Sequence, residues 1–297
     1  MKTTLLIIAA TCALLMFSFT TAKKPSLKTA QRALDGFCNY IPSGSTVVGG
    51  DTASVQAFYM SSGEITNLQY KEFLYELERN GEMEKLKIAA IDSLGWRREL
   101  SFNEPYVEYY HKHPAYAEYP VVNVSKEGAE LFCEWLSKKY DSLSNGELKI
   151  RFRLPTHTEW MRAARGGNHN STYTWGGPFL RNAKGDYLAN FMALGAENIT
   201  KNNETGELEV VRKLTMSIAG NTSDVTAPAL SYSPNYFGIY NMNGNVAEMI
   251  SDGDYAVGGD WSSPGYDIRN ESIKPFTEPN PTVGFRVVAT YISTNNK

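Results

Sequence analysis

Three cysteines and four histidines are the residues of this 297-residue chain best able to ligate a soft or borderline metal, or to serve as nucleophile and base. Cys12 lies in an apolar N-terminal run, which leaves Cys38 and Cys133 as the thiols of the remainder. A disulfide between them is one reading. The other, preferred for Cys133 because it falls on the apolar face of a predicted helix, is a small buried hydrophobe. His111 and His113 alternate on a stretch read as extended and would share a face, but no third ligand accompanies them. A polar loop in which His113-Pro114 begins a turn is therefore preferred to a metal pair. No Ser-His-Asp order and no phosphate loop is present, and Gly258-Gly259 lacks both the glycine spacing and the following helix of a nucleotide fingerprint.

The elements that must position such groups are few. Thr66-Asn67-Leu68-Gln69 has capping-box form, and Tyr70, Phe73, Leu74 and Leu77 continue it as one apolar stripe, predicting a helix to Arg79. Ser125 caps a second predicted helix through Ala129, Phe132, Cys133, Leu136 and Tyr140, ending before Asn145-Gly146. A third opens at Thr156-His157-Thr158-Glu159 and stops at Gly166-Gly167. Beyond Gly167 helical periodicity disappears, and short β-like runs such as 255–257 and 284–290 stand among Gly, Pro, Asn and Asp clusters. A first strand is expected over 40–48, and 195–224 reads as a loop insertion.

Composition bounds the function. Lys+Arg 29 against Asp+Glu 32 gives a net charge of -3, without the basic excess of a nucleic-acid footprint. The 24 Gly, 18 Tyr and 13 Pro describe a turn-rich, loop-rich chain and argue against a helical bundle. Lys2, the apolar run from Leu5 to about Phe19 and Thr20-Thr21-Ala22 read as a secretory signal peptide over 1–22. The run is too short for a membrane span, and no later segment could be one. Residues 23–39 read as an N-terminal leader and 40–292 as the domain.

The order of motifs across 40–290 resembles the sulfatase-modifying-factor, or formylglycine-generating-enzyme-like, family. It is carried by Glu64-Ile65-Thr66-Asn67-Leu68-Gln69-Tyr70, Arg153-Leu154-Pro155-Thr156, Ala163-Ala164-Arg165-Gly166-Gly167, Gly244-Asn245-Val246-Ala247-Glu248, Gly258-Gly259-Asp260-Trp261 and Gly284-Phe285-Arg286. The resemblance implies an α+β variant of the C-type-lectin-like fold with small sheets, a few short helices and long loops. His113-Pro114-Ala115-Tyr116 and Trp175-Gly176-Gly177-Pro178-Phe179 look most like the GldK/GldJ-like subgroup of gliding-motility and type IX secretion proteins.

The family's enzymes hold copper(I) with two cysteines shortly after the Gly-Gly-aromatic motif. Here Ser263 and Ile268 fill those places. A hydroxyl is a poor ligand for copper(I) and an isoleucine is none, so no copper is expected and catalysis is doubtful. Calcium is the cation the resemblance implies, in two loops. One would use Asn243, Gly244, Val246 and Glu248; the other Asn190, Phe191, Asn221 and Ser223, with main-chain carbonyls at Gly244, Val246, Phe191 and Ser223. The resulting expectation is an exported, non-catalytic scaffold of the cell envelope, in the periplasm or at the outer membrane. Its partners would be envelope proteins, meeting 255–275 or 102–119, and it could form a homo-oligomer. The alternatives are a divergent sulfatase-modifying enzyme and a lectin-like binding module using Trp261, Tyr266 and Tyr255, although core packing is preferred for Trp261.

Overall fold

The computed structural model describes residues 27–99, 103–145, 149–194, 199–210 and 223–291. The expected signal peptide lies outside them. In chain order the helices are α1 (Leu27–Phe37), α2 (Asn67–Arg79), α3 (Met83–Ile88), α4 (Trp96–Glu99), α5 (Glu104–Tyr109), α6 (Lys126–Leu143) and α7 (His157–Ala164). The strands are β1 (Cys38–Ile41), β2 (Gly44–Val48), β3 (Asp51–Val55), β4 (Phe58–Ser61), β5 (Ile150–Arg153), β6 (Ile199–Lys201), β7 (Leu208–Val210), β8 (Ala247–Met249), β9 (Tyr255–Val257), β10 (Ile273–Pro275), β11 (Val283–Gly284) and β12 (Val288–Tyr291). Two four-stranded sheets, ordered β1-β4-β12-β5 and β10-β9-β8-β11, are joined by hairpins β2-β3 and β6-β7 to make a mixed helix and strand architecture.

The caps act as their spacing requires. Thr66 and Thr156 both close reciprocal capping boxes, with Gln69 and Glu159 answering from the third helical position. Ser125 accepts the Gly128 amide at 3.0 Å. The α2 stripe (Tyr70, Phe73, Leu77) and the α6 stripe (Ala129, Phe132, Cys133, Leu136, Tyr140) meet Phe152 and Phe285 in the largest apolar cluster. Gly166 and Gly167 leave α7 at φ +56° and +86°, the left-handed region where a side chain is strained.

Two strand expectations are corrected, at 40–48 and at 284–290. Within the leader expected over 23–39, residues 27–37 form α1, which buries Leu34, and from Cys38 the chain runs in β1, which pairs with β4 in the first sheet. The strand expected over 40–48 is two, because Pro42 has no N–H to donate to a ladder and the chain turns at Pro42-Ser43. The run 284–290 serves two sheets: Val283–Gly284 pairs with β8 while Val288–Tyr291 joins β4 and β5, the chain crossing through Phe285, Arg286 and Val287. Cys38 and Cys133 are both buried and unbridged. Burial pushes both thiols up, away from the reactive thiolate. Among the described residues no helix is long and apolar enough to cross a membrane.

Candidate functional site

The centre of the molecule is a buried polar cluster that gathers the Gly-Asn loop ahead of β8, the turn ahead of α2 and the last strands. Glu248 of β8 and Arg286, both almost completely buried, form a two-point ion pair, Nε to Oε2 at 2.5 Å and Nη2 to Oε1 at 2.6 Å. Trp160 of α7 donates its indole N–H to the same Oε2 at 2.7 Å. Arg286 also donates to the Tyr240 carbonyl at 2.9 Å. Fork-to-fork pairing of this kind fixes both partners in direction as well as distance.

A second buried carboxylate, Glu64, takes the side-chain amides of Asn245 at 2.8 Å and Asn241 at 3.2 Å. Burial raises its pKa from the usual 4.5 to about 8, opposed by Arg286 and Asn245 and reinforced by Glu248. Two buried carboxylates thus lie in the field of one guanidinium, although only Glu248 is paired with it. Asn245, at φ 62°, is the hub: its Oδ1 accepts the Ala227 amide at 2.7 Å and its backbone amide meets the Asn190 carbonyl at 2.7 Å. The preceding Gly244, at φ +76°, lies so close under the Asn190 carbonyl that no Cβ fits there.

The residues of the first expected cation loop do not fit a calcium ion. Both oxygens of Glu248 belong to Arg286 and Trp160, so a cation would have to displace a guanidinium. Asn243, also buried, accepts the Thr174 amide at 2.6 Å and donates to Asn270 at 3.1 Å. Gly244 and Val246 shape the loop on which these pairs sit. In the second loop Asn190 and Ser223 do come together, the Ser223 amide donating to Asn190 Oδ1 at 2.9 Å. Phe191 packs beneath them with Tyr173, Ala189 and Ile268, and Asn221 lies outside the described residues. Among the described residues no three His, Cys, Asp or Glu side chains are grouped to hold a metal.

The two positions that replace thiols are used otherwise. The Ser263 hydroxyl accepts the Asp260 amide at 3.2 Å, and its carbonyl accepts the Met192 amide at 2.9 Å. Ile268 is buried in the apolar cluster of Tyr173, Ala189 and Phe191. Asp260, itself buried, pairs with Lys274 at 2.9 Å and caps Ser262 at 2.8 Å. Trp261 is core: it packs with Trp96, Tyr110 and Val246 and donates to the Pro281 carbonyl at 3.0 Å. Tyr255 puts its hydroxyl on His157 Nδ1 at 3.0 Å. Of the three aromatics expected to form one platform, only Tyr266 is an exposed large ring, 67% accessible.

The histidines do not share a face. The segment after α5 is a turn, so His111 is buried against Asn67 at 3.0 Å while His113 caps the following turn by accepting the Ala115 amide. Burial, with Lys71 nearby, pulls the His111 imidazole down from 6.5 to about 3 and keeps it neutral. The sequence reading named Glu64, Asn245 and Arg286 only as family motif members and missed their joint role. No local signal singles out Glu64: it follows Ser61-Ser62-Gly63, a polar, turn-like stretch in which a carboxylate is ordinarily solvated.

A model of the sulfatase-modifying factor enzyme 1-like domain matches residues 27–291. The formylglycine-generating enzyme of Bos taurus is 27% identical over 225 residues, covering 67% of this chain and 50% of that protein. A second Bos taurus protein, inactive C-alpha-formylglycine-generating enzyme 2, is 40% identical over 65 residues, 22% of this chain and 17% of its own. The crystal structure of CarF has the same fold, with a TM-score of 0.52 at 20% identity over 84% of this chain and 97% of that one. The chain spans about half the length of the curated formylglycine-generating enzymes of Bos taurus and Mus musculus. By a match running from α1 to the end of β12, the chain belongs to the sulfatase-modifying factor enzyme 1-like domain family.

Proposed function

We propose that this chain is a non-catalytic member of its family: an exported scaffold or interaction domain of the cell envelope, periplasmic or outer-membrane-associated, of the gliding-motility and type IX secretion kind. Within that reading the fold is the C-type-lectin-like variant, and the partners are envelope proteins. The observation that carries it is the fate of positions 263 and 268. A hydroxyl tied to a backbone amide and an isoleucine packed under Tyr173 cannot bind copper(I) or exchange with a substrate thiol. The two remaining thiols of the domain, Cys38 and Cys133, are buried and held protonated. A relative whose own name calls it inactive is in keeping with this.

The competing reading is a divergent sulfatase-modifying enzyme, favoured by the names of the other curated relatives. Incubating the purified chain with copper(I), oxygen and a Cys-containing sulfatase peptide separates the two. The scaffold reading expects peptide aldehyde no higher than in a protein-free blank; aldehyde above the blank overturns it. Calcium is carried forward as a proposal for the second loop alone, where Asn190 and Ser223 are adjacent and Asn221 would complete the set.

A further inference from the structure

A cleft of about 270 Å³ opens between Val47 of β2, Arg165 at the C-terminal cap of α7, the turn 169–172, and Arg269 with Glu271. Its two arginines are held in different ways. Arg165 is buried: it donates one terminal nitrogen to the His169 carbonyl and the other to Glu271 at 2.9 Å, and its Nε has no partner. Arg269 is half-buried. Its Nε donates to the Tyr266 carbonyl at 2.8 Å, and its guanidinium lies 3.5 Å from the centre of the Tyr266 ring. That clamp fixes the plane of the guanidinium while leaving its terminal nitrogens uncommitted, since no carboxylate of the described residues pairs with Arg269.

The cleft therefore carries two guanidinium charges against one carboxylate, in a chain whose net charge is -3. Local charge of opposite sign to the whole draws an anion to that place and not to the general surface. The carboxylate is the solvent-facing member: Glu271 is 68% exposed at its side chain, whereas Arg165 is 6% exposed. An arriving oxyanion could replace Glu271 on Arg165 while Arg269 takes it from the other wall in the two-pronged manner guanidinium favours. Thr172, on the turn, and the exposed imidazole of His169 line the same wall as further donors.

We propose that this cleft binds a phosphate or sulfate oxyanion borne on a small polar ester. The ester follows from size: five heavy atoms of a bare oxyanion leave most of 270 Å³ unfilled, and ligand clefts of a few hundred Å³ take a small organic body. Neither the fate of the thiols nor the envelope reading bears on it, so it stands or falls by itself.

Calorimetric titration and thermal shift of the full chain at constant ionic strength test it, with inorganic phosphate, inorganic sulfate, glucose 6-phosphate and glucose as probes. Glucose 6-phosphate is expected to bind saturably in the millimolar range or tighter and to raise the melting temperature as it does so; glucose is expected to do neither. Arg269→Ala should weaken binding about tenfold, with Arg269→Lys between it and the wild type because the charge stays and the fork is lost. Glu271→Gln should tighten binding, since it removes the carboxylate that competes for Arg165; a structural role alone would not produce that change of sign. Absence of saturable binding to any of the three anions overturns the site. So does an unchanged affinity in folded Arg269→Ala, or a weakened one in Glu271→Gln. Binding of the inorganic ions without the ester overturns the ester, and equal binding of glucose overturns the role of charge.

Discussion

Glu248 and Arg286 are each nine-tenths or more removed from water, so neither can lose its partner without becoming an isolated charge in the interior. Glu248→Ala should cost about 3–5 kcal/mol, the usual penalty for orphaning a buried ion, with Trp160 losing its acceptor as well. Because the ion pair and not a cation holds this loop, the fall in melting temperature should be equal in calcium and in chelator. Denaturation of wild type and variant in both media checks this. A fall seen only in chelator would return the carboxylate to a calcium site, whereas a calcium-dependent gain that Asn221→Ala abolishes would locate the ion in the second loop. At this scale the sequence was only half legible. The types at 263 and 268 could be read directly, because a missing thiol is visible in a string of letters. The partner of Glu248 could not be read, because it lies 38 residues away and no local pattern says whether a carboxylate meets a metal or a guanidinium.

Helices α2, α6 and α7 were legible from cap to stop, since capping and a 3.6-residue apolar stripe are local properties and tertiary packing here agrees with them. Strands fared worse. Three- and four-residue strands carry little periodicity, and the boundary within 283–291 depends on a change of sheet that only the fold reveals. The leader expected over 23–39 leaves no place for α1, an 11-residue helix whose Leu34 is buried. The cap of α7 has reach beyond its own helix: Thr156 and Glu159 set the axis along which Trp160 approaches Glu248 and His157 approaches Tyr255. Thr156→Ala should therefore destabilise the protein by about 1 kcal/mol, the ordinary cost of a lost cap. Trp160 fluorescence would report any displacement of the indole. An unchanged unfolding midpoint would show that packing alone sets the helix start.

The molecule as a whole should respond to pH through the imbalance at its centre. Glu64 has a folded-state value near 8 against 4.5 when unfolded, so the folded state prefers it protonated. Its contribution to stability is present in full below about 4.5 and is lost as pH rises to about 8. His111 works in the opposite sense, its neutral form being favoured by the fold, so that its contribution declines as pH falls from 6.5 towards 3. The two overlap between pH 4.5 and 6.5, which is why a variant is needed to separate them. In Glu64→Gln the decline on the alkaline side should vanish, leaving the variant relatively more stable than wild type at pH 9 than at pH 5. Parallel melting curves at the two values test it, and an equal difference at both would exclude Glu64 as the source.

The first sheet has a mechanical consequence. Strands β1 and β12 both run antiparallel to β4, which lies between them, and are therefore parallel to one another. β1 therefore begins at one end of the sheet, and β12 finishes at the other. Tension applied to the two sides of the domain would pull β1 and β12 in opposite directions along their own axes, across ladder bonds that stand perpendicular to the load. Such a sheet yields by shearing several bonds together and not by unzipping them one at a time.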